Sequence, residues 1–234
     1  MSSPIIQAET FQFLRDLQQH NVREWFQAHQ PRYEAAHENM IAFSEALMDG
    51  MLAQDQVVPT SGKKMLLRIY RDVRFSKNKA PYKTHFGGQM KRATDLLRGG
   101  YYYHIMPDGG SFIAGGFWGP EKDDLRRIRD ELAMDAKPLR EIVANERFVR
   151  TFGALSGDAL KTAPKGFDRE HPDIDLIRMK QYLVQKSFPD EAVLADDFVA
   201  QLLDAYDAML PFLDYMSEVL TTDANGRRIV QVDE

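Results

Sequence analysis

Thirty residues, Lys63 to Arg92 (KKMLLRIYRDVRFSKNKAPYKTHFGGQMKR), constrain this chain more than any other stretch. They hold ten Lys or Arg and one acid, Asp72: a charge of +9 inside a chain of formal charge −5, which leaves −14 for the remainder. Self-repulsion opposes such clustering unless something negative meets it, so the segment is expected to face a counter-charge. Its spacing constrains structure as well. Met65, Leu67, Ile69, Val73 and Phe75 alternate with Lys64, Arg68, Tyr70, Asp72 and Arg74, and period-two alternation predicts a half-buried strand over 64–75. Arg71 falls on the apolar face, where a charge needs carboxylates or carbonyls around it, so it is assigned a structural role. Pro81 cannot continue a central strand. Lys77, Lys79, Tyr82, Lys83 and His85 are therefore predicted on a loop beside the strand's end.

The run Arg68-x-x-Arg71-Asp72-x-Arg74-Phe75-x-x-Asn78-Lys79-x-x-Tyr82 resembles the signature of a bacterial family with fungal relatives, domain of unknown function 2461. Further resemblance lies in Asn21-x-x-Glu24-Trp25-Phe26, Tyr33, Gly99-Gly100-Tyr101-Tyr102, Gly115-Gly116-x-Trp118-x-Pro120-Glu121, Pro164-Lys165-Gly166-Phe167 and His171-Pro172. It covers nearly the whole chain. It implies a shared fold and carries over no activity, cofactor or partner.

A chain of 234 residues suits one large domain that buries its own core without disulfides or structural metal. One α+β domain over 1–221 is expected, with a flexible tail over 222–234. The absence of cysteine excludes thiol catalysis and Cys-ligated zinc and fits a cytoplasmic setting. The start, MSSPIIQAET, has neither a basic n-region nor an apolar h-region, so no signal peptide is expected. No apolar run reaches membrane-spanning length.

Helices are expected over 9–53, with Thr10 as an N-cap and a new segment from Pro31, again from Pro120 and Pro138, and over the C-terminal stretch around Pro211. Trp25 and Phe26 read as core anchors, and Trp118 is assigned a structural role with them. Gly87-Gly88 reads as punctuation. Residues 100–106 and 111–118 read as a hairpin turned at Pro107-Asp108-Gly109-Gly110. In that register Tyr102 and His104 share a face with Ile113, Gly115 and Phe117. The fold class is α+β: a central, mainly antiparallel sheet near 64–75, 86–92, 100–106, 111–118 and 181–188, covered by N- and C-terminal helices.

The leading site is Arg68, Arg74, Lys77, Lys79 and Lys83, with Tyr82 for orientation. Arginine forks suit carboxylate or phosphate, and lysines add point charge. Asp72 is expected to bridge Arg68 and Arg74, since a carboxylate among cations stays ionised and makes a poor base. Lys165 and His171 are expected to join this site from the 164–172 loop. Ser76-x-x-Lys79 lacks the helix that acylating serine enzymes require. The strand–Gly115-Gly116–helix stretch lacks a phosphate fingerprint, and Glu121, Asp123 and Asp124 would repel phosphate there. No metal spacing and no cofactor motif appears. A small anionic ligand is the expected partner. A nucleic acid or an acidic protein docking on the same basic face are the alternatives.

Overall fold

The computed structural model describes residues 5–223 and 225–229. In chain order it forms α1 (Ala8–Gln19), α2 (Arg23–Ala28), α3 (Gln30–Gln54), the single turn α4 (Gly62–Met65), β1 (Phe86–Lys91), β2 (Gly100–Ile105) and β3 (Ser111–Phe117). There follow α5 (Lys122–Met134), α6 (Lys137–Ala144), α7 (Glu146–Phe152), α8 (Ile174–Ile177), β4 (Tyr182–Phe188), α9 (Asp190–Val193) and α10 (Phe198–Thr221). The strands make one antiparallel sheet in the order β1-β2-β3-β4, and the fold class is α+β. Among the described residues no helix is long and apolar enough to cross a membrane.

Two compact units share the chain. The first is built from Met1–Met90, Tyr102–Ile113 and Ser187–Asp204, the second from Lys91–Tyr101, Ala114–Lys186 and Ala205–Glu234. In the first unit α1 buries Phe11, Phe13, Leu14 and Leu17, and α3 buries Met40, Phe43, Leu47 and Met51, each a helical stripe. Helix α1 begins at Ala8, so Thr10 is no N-cap; its hydroxyl donates to Asn39 Oδ1 at 2.9 Å instead. Tyr103 from β2 reaches into this core and its hydroxyl meets Ser44 Oγ at 2.5 Å. Ser44 already donates to Met40 O, so Tyr103 is the donor. Gly87 and Gly88 are interior strand residues, not punctuation. A Cβ on Gly88 would lie 2.4 Å from the Tyr103 ring, and one on Gly87 2.8 Å from the Tyr102 hydroxyl.

The hairpin turn sits at Asp108-Gly109, both with positive φ (63° and 73°), the conformation of a type I′ turn. The Asp190 carboxylate accepts from the amides of Asp108 (3.0 Å) and Gly109 (2.9 Å) and from Arg15 Nη2 (2.8 Å). The faces differ from expectation. Tyr101, Tyr103 and Ile105 are buried together with Ile113 and Phe117, while Tyr102 and His104 face Phe112. Strand β2 ends at Ile105, so five residues rather than four connect the strands. A one-residue change of register moves every side chain to the other face.

In the second unit α5 buries Ile128 and Leu132, and the C-terminal part of α10 buries Tyr206, Met209, Phe212, Leu213 and Met216. Pro211 lies inside α10 on its exposed side, and the helix continues to Thr221. Thr222 and Arg228 pair as an antiparallel bridge; residues 224 and 230–234 of the segment read as a tail lie outside the described residues.

Candidate functional site

The stretch expected as a strand over 64–75 is not one. Residues 62–65 form α4, and residues 66–71 run beside 81–88 through isolated antiparallel bridges, Leu66↔Gly88 and Tyr70↔Tyr82. Further backbone bonds join Leu67 N to Gly87 O (2.8 Å), Lys83 N to Ile69 O (2.7 Å) and Arg71 N to Pro81 O (2.9 Å). The alternation set burial at its start, where Met65 and Ile69 are 1% and 3% exposed, and failed at its end, where Phe75 is 96% exposed. Beyond Arg71 no segment among the described residues continues the ladder, and the stretch from 72 to 80 is a loop.

Polar side chains hold that loop from within. Asp72 binds Arg74 alone, with Nε at 3.0 Å and Nη2 at 2.7 Å; these bonds hold its carboxyl below the usual range. Lys79 Nζ donates to Val73 O at 2.9 Å, Arg71 Nη1 to Ala80 O at 3.0 Å, and the Ala80 amide to Asn78 Oδ1 at 2.9 Å. The loop base is clamped to α2. Asn21, at the entrance of α2, exchanges two hydrogen bonds with the Tyr82 backbone (3.0 and 3.1 Å). Phe26 stacks on the buried Tyr82 ring at 4.0 Å. Trp25 is half-buried against His29 at 4.2 Å, and Trp118 is 79% exposed.

Three cations remain outside this internal bonding. Among the described residues Arg68, Lys77 and Lys83 form no ion pair and no side-chain hydrogen bond; Arg68 acts on Asp72 only through its charge. Arg68 and Lys77 are exposed, whereas Lys83 is half-buried. Burial, and after it the charge of Arg68, pushes the Lys83 ammonium below its ordinary range. An uncompensated half-buried cation beside a second cation costs free energy in the unliganded protein.

Beside Lys83 stand two histidines that the sequence did not single out as a pair. His85 and His104 stack with centroids 3.9 Å apart. The Tyr102 hydroxyl lies 3.0 Å from His104 Nδ1. Burial lowers both imidazoles to about 4, with His104 and then Lys83 adding to the effect on His85. Strand parity placed Tyr102 and His104 on one face; nothing local in the sequence tied His85 to them. Among the described residues no group of three or more His, Asp or Glu is arranged to hold a metal ion.

Lys165 and His171 belong to the second unit. Lys165 is exposed. His171 is held by Ala133 O at 3.1 Å and by the Asp173 amide at 3.0 Å. It lines an open cavity of about 410 Å³ in which Arg140 is already paired with Asp173.

Residues 9–215 match the model of a family described as conserved hypothetical protein (DUF2461). The chain belongs to this family. No curated protein and no solved structure matches it. Within this DUF2461 protein the signature-like run divides into two roles: Arg71, Asp72, Arg74, Asn78 and Lys79 hold loop backbone or one another, and Arg68 and Phe75 are exposed.

Proposed function

We propose that this protein binds a small anionic ligand, bearing phosphate or carboxylate, through Arg68 and Lys83, with Lys77 adding positive potential from the loop. The observation that carries this reading is the Arg68–Lys83 pair. The two cations repel one another, yet among the described residues neither forms an ion pair, Arg68 feeling only the charge of Asp72, in a chain that has 35 acids. A bound anion supplies the missing charge with charge-assisted hydrogen bonds. Arg74 and Lys79 keep the loop in shape for it, and Tyr82 anchors its base. The same arrangement suits stabilisation of charge developing on an oxyanion. A chain without cysteine suits a reducing compartment, and the proposed setting is the bacterial cytoplasm.

Thermal-shift screening against phosphate, sulfate, citrate, nucleotides and sugar phosphates tests the proposal. A ligand at about 100 times its Kd adds ~2.7 kcal/mol, roughly 5–10 °C for a chain of this size. The shift is expected for at least one small anion and is lost in Arg68→Ala and in Lys83→Ala. No shift from any of these ligands, with both variants folded, overturns it.

One observation favours a second reading. Phe75 is almost wholly exposed with the Arg74 guanidinium 5.9 Å from its ring, and Tyr70 is 56% exposed. Exposed aromatics among cations are platforms for the bases of single-stranded nucleic acid. That reading requires oligonucleotide affinity that falls log-linearly with salt and is lost in Phe75→Ala.

A further inference from the structure

The pairing that positions the basic segment is uneven. From Leu66 to Tyr70 the chain advances four residues, while the opposing chain from Gly88 back to Tyr82 advances six. The bend at Thr84 and His85 takes up the difference. Extra residues of this kind re-aim side chains and recur beside functional sites. Here the bend sets the His85 imidazole on His104, 29° from parallel. His104 is fixed in turn by the Tyr102 hydroxyl and by Phe112, stacked at 4.6 Å. His85 has no hydrogen-bond partner among the described residues, so its ring nitrogens are free to meet a ligand.

The groups acting on the pair are few. Lys83 comes from its own segment, with Arg68 behind it; Tyr102 comes from β2 and the uncharged Phe112 from β3. Among the described residues no carboxylate acts on either ring. Burial keeps both imidazoles neutral, and at His85 the positive field of Lys83 adds to it. An anion seated at Lys83 reverses that field. An opposite charge at close range raises such a pKa by about 1–3, which brings a ring from about 4 into the pH 5–7 range. Two stacked imidazolium rings would repel, so one ring charges and the other remains its neutral partner.

We propose that His85 is the third arm of the anion site, taking up one proton as a dianion of the phosphate or sulfate type binds at Arg68 and Lys83. This deepens the anion-binding reading and rests on it. Three cationic groups around one ligand match a dianion better than a single carboxylate, so sulfate and phosphate are expected to bind more tightly than acetate. Neutral His85 loses its lone pair to the proton, and both ring nitrogens then donate.

The test uses sulfate, which has no proton of its own to exchange near neutrality. Isothermal titration of the full chain at pH 5.5, in two buffers of different ionisation enthalpy, counts the protons taken up on binding. The expected result is net uptake of up to one proton, and an affinity that rises as the pH falls from 7.5 to 5.5, most steeply below the bound-state pKa and by at most tenfold per pH unit. In His85→Gln sulfate still binds but proton uptake disappears. In case that variant unfolds, the His85 ring signals in the NMR spectrum of the unmodified protein give the same answer: their titration midpoint moves up with sulfate. Sulfate binding with no proton uptake and no moved midpoint overturns this inference and leaves the anion site standing. No sulfate or phosphate binding at all removes this inference, and the anion site falls with it when citrate, nucleotides and sugar phosphates also give no thermal shift.

Discussion

Arg68 and Arg92 come from one basic run and are treated in opposite ways. Arg92 lies in the second unit, its side chain 2% exposed, bonded to Asp214 at 2.5 Å and to Ser217 at 3.3 Å. Its neighbours in that unit are matched likewise: Arg98 with Asp124, Arg140 with Asp173 and Asp175, Arg147 with Asp207. In the first unit the segment from Arg68 to Lys83 contains, among the described residues, one such pair, Arg74–Asp72. Acids are plentiful in this chain and are used to neutralise arginines elsewhere. Unmatched cations occur in the second unit too, where Arg129 meets only carbonyls and the buried Arg178 Nε has no partner among the described residues; what distinguishes the first-unit segment is that two of them, Arg68 and Lys83, act on one another. Pairing adds stability and abolishes a binding site; an unmatched cation costs stability and keeps the site open.

The comparison can be broken most readily at Arg92. Arg92→Ala leaves a cavity where a nearly fully buried side chain stood and removes its bonds to Asp214 and Ser217, and is expected to lower the unfolding free energy by about 3 kcal/mol in urea titrations. Acid acts next. Between pH 6.5 and about 4 the unfolded chain binds protons that the folded His85 and His104 refuse, so stability falls as pH falls through that window and levels off below it. The two groups together are worth about 3 kcal/mol at most after allowance for their partial exposure. His85→Gln should flatten this part of the profile by about half.

Asp190→Ala asks whether pairing matters in the first unit too. It removes the acceptor of two turn amides and of Arg15, and is expected to cost about 2 kcal/mol. Arg68→Ala is the contrasting case: a change within about 0.5 kcal/mol, as for an ordinary surface position, together with loss of the ligand-induced shift. A large loss of stability there would show that Arg68 belongs with Arg92 after all. The smallest effect has the opposite sign. Lys83→Met replaces a half-buried, unmatched cation by an apolar side chain and should stabilise the unliganded protein by about 0.5 kcal/mol. A destabilised Lys83→Met would mean that the lysine has an unseen structural partner.

Much of the architecture could be read from the chain. The Asp-Gly turn, the strands near 86–91, 100–105, 111–117 and 182–188, and the apolar stripes of α1 and α3 are local patterns, and local patterns are set by backbone sterics and burial. The hairpin faces could not be read as safely, because parity depends on whether four or five residues make the connection. The basic segment was legible as charge and illegible as shape. Its alternation predicted a strand, but a strand needs a neighbour to pair with along its whole length. The residues facing 66–71 spend two extra positions on the bend at Thr84 and His85.

The sequence by itself determined the charge: ten cations against one acid between Lys63 and Arg92, in a cysteine-free α+β chain. Tertiary structure alone decided which cations are spent and which remain available. Asp72 could have bridged Arg68 and Arg74, yet it hydrogen-bonds Arg74 and meets Arg68 only through its charge. His85 and His104, 19 positions apart, became neighbours only through the bend at Thr84–His85. Both outcomes follow from distance and direction between side chains, and the order of residues along a chain does not specify these until the backbone has folded.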